Sequence, residues 1–136
     1  MRRTLAAASA ALALAGGSAA WALAPTDSST NHYVVVVNET AAPITGGIVN
    51  QGITGTVPAR ERVSFKSQDF RWTIQSTAYY RGTARNAAGT ICEAVYKATV
   101  SNGAPTTCEV TAPSSRCGTS ASAIGNACYF SLTVRP

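Results

Sequence analysis

The stretch FRWTIQSTAYYRGTARNAAGTICEAVYKATV, residues 70–100, decides the fold. Phe70, Trp72, Ile74, Ala78 and Tyr80 fall on even positions. Arg71, Thr73, Gln75, Thr77, Tyr79 and Arg81 fall on odd ones. A period of two is the signature of a strand with one face turned inward. Ile91 to Val100 repeats the parity: Cys92, Ala94, Tyr96, Ala98 and Val100 form the smaller or more apolar set. Between the two lies Asn86-Ala87-Ala88-Gly89, with Asn at the start of a type I turn and Gly at its left-handed close. A three-residue loop pairs Asn86 with Thr90, so Tyr80 is expected opposite Tyr96, Ala78 opposite Ala98 and Ala84 opposite Cys92. On the outer face Tyr79 meets Lys97 and Thr83 meets Glu93. Turn chemistry and apolar parity agree on this register.

Outward from the hairpin, Ser101-Asn102-Gly103-Ala104-Pro105 reads as the next turn and Thr106 to Thr111 as the next strand. A two-residue turn at Asn102-Gly103 points Cys108 and Val110 outward. A five-residue loop pairing Val100 with Thr106 keeps both inward and Pro105 out of the ladder. Ala112 to Asn126 reads as a long polar loop holding Cys117. Ala127 to Val134 closes the chain as a strand with Cys128, Phe130, Leu132 and Val134 on one face. Upstream, Tyr33-Val34-Val35-Val36-Val37 suggests a strand buried on both faces. Asn50-Gln51-Gly52 marks a turn, and Val63 and Phe65 share one side of a short strand. The expected core includes Trp72, Ile74, Tyr80, Tyr96, Val110, Phe130 and Leu132. The expectation is an all-β fold, a small antiparallel β-sandwich or barrel of seven or eight strands.

The first residues carry a secretory signal: Arg2-Arg3, an apolar run from Leu5 to Ala15, then small residues. Ala20-Trp21-Ala22 is the favoured cleavage site, because cleavage after Ala24 leaves Pro25 first. The chain is therefore read as signal peptide 1–22, flexible leader 23–31 and a disulfide-linked β domain 32–136. The run is Ala-rich and broken by Gly16-Gly17, which argues against retention as a membrane anchor. Its composition suggests a bacterial source. In that setting the acceptor triplet Asn38-Glu39-Thr40 is a coincidence.

All four cysteines, Cys92, Cys108, Cys117 and Cys128, lie in the last third. An even number in an exported chain reads as disulfides, and the gaps are too wide for a zinc site. With Ala98 opposite Cys108, Cys92 lies roughly 20 Å along the strand at about 3.3 Å per residue. Cys92–Cys108 is then out of reach. The position opposite Cys92 is Ser114, three residues before Cys117, so Cys92–Cys117 with Cys108–Cys128 is the expected set. Cys92–Cys128 with Cys108–Cys117, which requires the loop to fold back along its own strand, ranks below it.

The net charge of +5 falls to +3 without Arg2 and Arg3, too little to argue for nucleic acid. The one imidazole, His32, adjoins the leader and reads as exposed and chemically idle. No two acids form a local pair, and no Ser sits in a nucleophile motif. No cofactor or metal is expected. The candidate surface is the outer hairpin face: Arg71, Gln75, Tyr79, Arg81 and Lys97, with Arg85 near the turn. The function expected is a secreted or periplasmic, non-enzymatic binding module for a protein or glycan, with no membrane insertion once the signal is removed. The rivals are an inhibitor or small toxin acting through 112–126, a subunit that donates Tyr33–Val37 by strand addition, and, last, a hydrolase.

Overall fold

A computed structural model describes residues 28–68, 70–72, 75–101 and 104–136. The signal region and the leader up to residue 27 lie outside the described residues, as does Ile74; the side chain of Trp72 does too. The described chain forms eleven strands. They are β1 (Ser28–Thr30), β2 (Tyr33–Asn38), β3 (Ile44–Ile48), β4 (Ile53–Val57), β5 (Arg62–Lys66), β6 (Phe70–Trp72), β7 (Gln75–Asn86), β8 (Gly89–Ser101), β9 (Ala104–Ala112), β10 (Gly118–Ile124) and β11 (Ala127–Val134). Two sheets pack face to face, with strand orders β9-β8-β7-β3-β4 and β10-β11-β2-β5. A two-stranded ribbon, β1-β6, lies beside them. The fold is the expected all-β sandwich with more strands than the seven or eight counted from sequence.

The hairpin register holds. Tyr80 pairs with Tyr96, Ala78 with Ala98, Ala84 with Cys92, Tyr79 with Lys97 and Thr83 with Glu93. The tip is tighter than expected: Asn86 pairs with Gly89, and the register shifts between Ala84 and Arg85, leaving Ile91 as the extra residue of a bulge. The bulge absorbs what a three-residue loop would have absorbed. The second turn is solved the same way. Ala104 pairs with Ser101 and Pro105 with Val100, so the five-residue loop does not form. A shift at Thr106 then brings Cys108 opposite Ala98 as expected. Thr83, on the nominal outer face, is buried, and Val110 is half-buried.

Three further expectations are corrected. Phe70–Trp72 pairs not with β8 but with Ser28–Thr30, so residues 28–30 of the expected leader form a strand. The polar segment 112–126 is not one loop: Gly118–Ile124 is an edge strand on Ala127–Val134. Small Ser and Ala side chains suffice there, because an edge strand with one partner needs little apolar content. Tyr33–Val37 is not buried on both faces. Val34, Val36 and Asn38 point inward, and Tyr33, Val35 and Val37 are half-buried on the outer face. This strand lies parallel to β11 and antiparallel to β5. The parallel pair departs from the antiparallel expectation. It is possible because the rest of the domain serves as the crossover that parallel strands require.

The core lies between the sheets. Tyr80, Tyr96, Ile48 and Val57 face Val34, Val36, Phe130 and Leu132, all 0–1% exposed. Tyr96 and Phe130 stack at 4.8 Å between centroids. The Tyr96 hydroxyl donates to the Ser131 carbonyl at 2.6 Å, a polar tie from one sheet to the other. Gly82 makes this approach possible, since a Cβ there would sit 2.9 Å from Tyr96 Cε2. Both expected disulfides form, Cys92–Cys117 and Cys108–Cys128. The second ties β9 of one sheet to β11 of the other.

Candidate functional site

The outer hairpin face brings together Gln75, Tyr79, Arg81 and Lys97, and Tyr79 is 54% exposed. It does not gather Arg71, whose backbone lies in β6 opposite Ser29 and whose side chain is outside the described residues. The cations are already matched. Arg81 pairs with Glu93 at 3.6 Å and Lys97 with Glu109 at 3.7 Å. Asn50 further fixes the face by donating to the Tyr79 carbonyl and accepting from the Arg81 amide. Two of the cations on this face thus have a carboxylate partner within 4 Å.

Two further arginines lie elsewhere. At one end of the sandwich a cleft of about 480 Å³ opens between the hairpin tip, the segment before Cys117 and the end of β11. Thr40, Asn86, Thr90, Arg116 and Arg135 are its polar lining, and among the described residues no carboxylate side chain lines it. Neither arginine is in an ion pair among the described residues. Each is held by local structure. Arg116 sits in the five-residue link between β9 and β10, where its amide donates to the Ser114 hydroxyl at 3.1 Å. The next residue is clamped to the hairpin by Cys92–Cys117, with Cα atoms 6.2 Å apart. Arg135 lies across Gly118, where a Cβ would stand 2.8 Å from a guanidinium nitrogen. Arg85 reaches the rim, its guanidinium donating to the Thr90 hydroxyl at 3.5 Å. A second hollow, of about 270 Å³, flanks the other side of the tip at Arg85 and Asn86. Guanidinium forks, hydroxyls and an amide are groups that can donate hydrogen bonds to a carboxylate, sulfate or phosphate.

Sequence reasoning placed Arg85 near the turn but missed Arg116 and Arg135. The one available signal was Arg116-Cys117, because the expected disulfide carries Arg116 to the hairpin tip.

His32 is not exposed. It is fully buried, and its Nδ1 accepts the Cys128 backbone N–H at 2.8 Å. Its ring lies 5.6 Å from that of Phe70 and 5.7 Å from that of Tyr80. Nε2 has no hydrogen-bond partner among the described residues, so no carboxylate orients the ring for proton transfer. Burial holds its pKa down to about 4. Burial also raises the Tyr80 phenol to about 12, partly offset by a hydrogen bond with Ser67. Asn38, the glycosylation-type asparagine, is 1% exposed, and its amide nitrogen donates to the carbonyls of Ala42, Val57 and Pro58. The triplet is a structural clamp, with the Thr40 hydroxyl donating to Asn38 Oδ1 at 2.6 Å.

Among the described residues no group of three His, Cys, Asp or Glu side chains could hold a metal ion. No helix there is long and apolar enough to cross a membrane. No protein-family model, curated protein or solved structure matches the chain.

Proposed function

We propose that this protein is a secreted or periplasmic, non-enzymatic binding module that recognises an anionic group at the arginine cleft. The observation that carries the reading is the contrast between its cations. Arg81 and Lys97 on the hairpin face are neutralised by Glu93 and Glu109. Arg116 and Arg135 line a cleft where no acidic side chain stands among the described residues. Leaving guanidinium groups unmatched around a concavity gives no stability, whereas a ligand oxyanion would complete it. Two disulfides support an oxidising compartment, and a rigid cross-linked scaffold suits preorganised recognition.

The test is a thermal melt and an NMR titration with sulfate, phosphate and acetate against chloride at equal ionic strength. The expected result is a rise in Tm with oxyanion, and shifts confined to Arg116, Arg135 and the hairpin tip. Arg116→Ala and Arg135→Ala should each abolish the effect. Shifts spread evenly over all arginines would overturn the reading.

One observation favours the inhibitor reading as a second possibility: Arg116 is exposed on a disulfide-clamped segment. In that case Arg116→Ala removes activity against the target and Arg135→Ala does not. Donation of Tyr33–Val37 to a neighbour is not favoured, since that strand is paired on both sides within its own sheet.

A further inference from the structure

We propose that the cleft is the end of a longer track, and that the ligand is an acidic oligosaccharide with its charged sugar at Arg116 and Arg135 and neutral sugars along the outer face of the four-stranded sheet. The proposal rests on the anion reading of the cleft.

Strand parity builds the track. Phe130, Leu132 and Val134 are buried, so Tyr129, Ser131 and Thr133 face outward, and Arg135 continues the same row. Beside that row β10 sets Ser122 against Tyr129, Ser120 against Ser131 and Gly118 against Thr133. On the other side β2 sets Tyr33, Val35 and Val37 against the same three residues. A groove of about 420 Å³ runs over this face. Thr133 lines the groove and Arg135 lines the cleft. Gly118 lets the Arg135 guanidinium lie against the end of β10, between the two. Thr133 of the groove and Arg135 of the cleft are successive members of one outward row, so the groove leads toward the cleft.

The lining selects the occupant. Tyr129 stacks on Tyr33 at 4.7 Å, a paired aromatic ridge beside the valines, against which the apolar face of a sugar ring can rest. Ser120 and Ser131, hydrogen-bonded to each other, and Ser122 offer short hydroxyls that exchange bonds with sugar hydroxyls. Side-chain repeats of roughly 7 Å along the strands present these groups at regular intervals. A peptide would need either a free strand edge or deep side-chain pockets. The groove is lined by side chains from all four strands, with two valines and three serines rather than a large apolar pocket. A nucleic acid would need cations along the whole track. The groove instead carries Glu39 as well as Arg62. Charge is concentrated at the cleft, which fits a glycan with one acidic sugar and neutral neighbours.

The probes are a xylo-oligosaccharide bearing one glucuronic acid, its carboxyl-reduced counterpart, and free glucuronate, each titrated by calorimetry. The acidic oligosaccharide should bind about tenfold or more tighter than either of the others, a spacing of ~1.4 kcal/mol. Tyr129→Ala should bring the oligosaccharide down to the affinity of free glucuronate and leave glucuronate itself unchanged. Ser122→Glu, at an exposed position, should do the same should Tyr129→Ala fail to fold. Arg135→Ala should weaken both acidic ligands. Equal affinity for oligosaccharide and glucuronate would overturn the track while leaving the cleft intact. Equal affinity for the acidic and carboxyl-reduced oligosaccharides would overturn the charged end. No binding of glucuronate or sulfate would overturn the cleft reading itself.

Discussion

His32 and Cys128, ninety-six residues apart in sequence, are joined by a 2.8 Å hydrogen bond from the Cys128 amide to the imidazole Nδ1. The bond requires a neutral ring with its proton on Nε2. It ties the segment leading into β2 to β11, and Cys128 in turn is tied to Cys108 on the opposite sheet.

Acid should therefore weaken the fold through a single group. The His32 pKa is about 4 in the folded chain, against an ordinary 6.5 for the imidazole. The folded value is the lower one, so this contribution is complete above about pH 6.5 and is lost as pH falls toward 4. The slope is ~1.4 kcal/mol per pH unit, or about 3 kcal/mol over the window. The chain has no second histidine. Urea midpoints at pH 7, 5.5 and 4.5 should fall accordingly. His32→Asn, whose side-chain oxygen can accept the Cys128 N–H, should flatten the dependence above pH 5. An unchanged slope in that variant would assign the acid sensitivity to carboxylates.

Tyr96 should be the costliest aromatic to truncate. It is fully buried, stacked on Phe130 and bonded to the opposite sheet. Tyr96→Ala should lose roughly 3–5 kcal/mol, and Tyr96→Phe about 1 kcal/mol for the hydrogen bond. Tyr79→Ala, on the exposed face, should stay within about 0.5 kcal/mol. Denaturant midpoints at constant m-value check all three. Comparable losses at Tyr79 and Tyr96 would mean that the two faces of the hairpin are exchanged.

Gly82→Ala should destabilise although its position is neither a turn nor strained. The added methyl would meet Tyr96 Cε2 at 2.9 Å and Val34 Cγ1 at 3.1 Å, on opposite sheets. Overpacking of this kind costs about 1–3 kcal/mol. Gly125→Ala meets nothing within 4 Å but has a φ of 63°, so its cost of about 1 kcal/mol is conformational. Tyr96→Phe should not relieve the first and should leave the second untouched.

What was legible in the sequence was whatever two local signals fixed jointly. The parity of residues 75–84 and 92–100, with Asn86 and Gly89, fixed the register; the register excluded Cys92–Cys108 and set Cys117 near Cys92, which favoured the two disulfides that form. The two bulges were invisible, because a bulge changes the pairing at a tip without changing the parity beyond it. Gly118–Ile124 was hidden by its Ser and Ala content, since an edge strand draws its order from the partner. His32 was misread because its surroundings, Cys128, Phe70 and Tyr80, come from distant strands. The arginine cleft was missed for the same reason: the hairpin tip, the Cys117 segment and the end of β11 meet only in the fold. The hairpin face looked cationic in sequence because Glu93 and Glu109 lie across from Arg81 and Lys97 rather than next to them.

The two disulfides should separate stability from binding. Each closes a similar loop, with separations of 25 and 20 residues, so chain entropy gives each about 3.5 kcal/mol. Their places differ. Cys108–Cys128 lies between the sheets, with Cys128 fully buried, and neither cysteine nor its chain neighbours line the cleft. Cys92–Cys117 sits directly beside it: Ile91 precedes one cysteine, Arg116 precedes the other, and both line the cleft. Replacing Cys92 and Cys117 by Ser should lower Tm and also free Arg116 from the hairpin tip. Oxyanion affinity should drop about tenfold as that side chain regains its rotamers. Replacing Cys108 and Cys128 by Ala should lower Tm by a similar amount and leave oxyanion affinity within about twofold at temperatures where the variant is folded. If both pairs reduced affinity equally, the loss would follow global loosening of the sandwich. The disulfide at the hairpin tip would then have no particular role in holding Arg116 for a ligand.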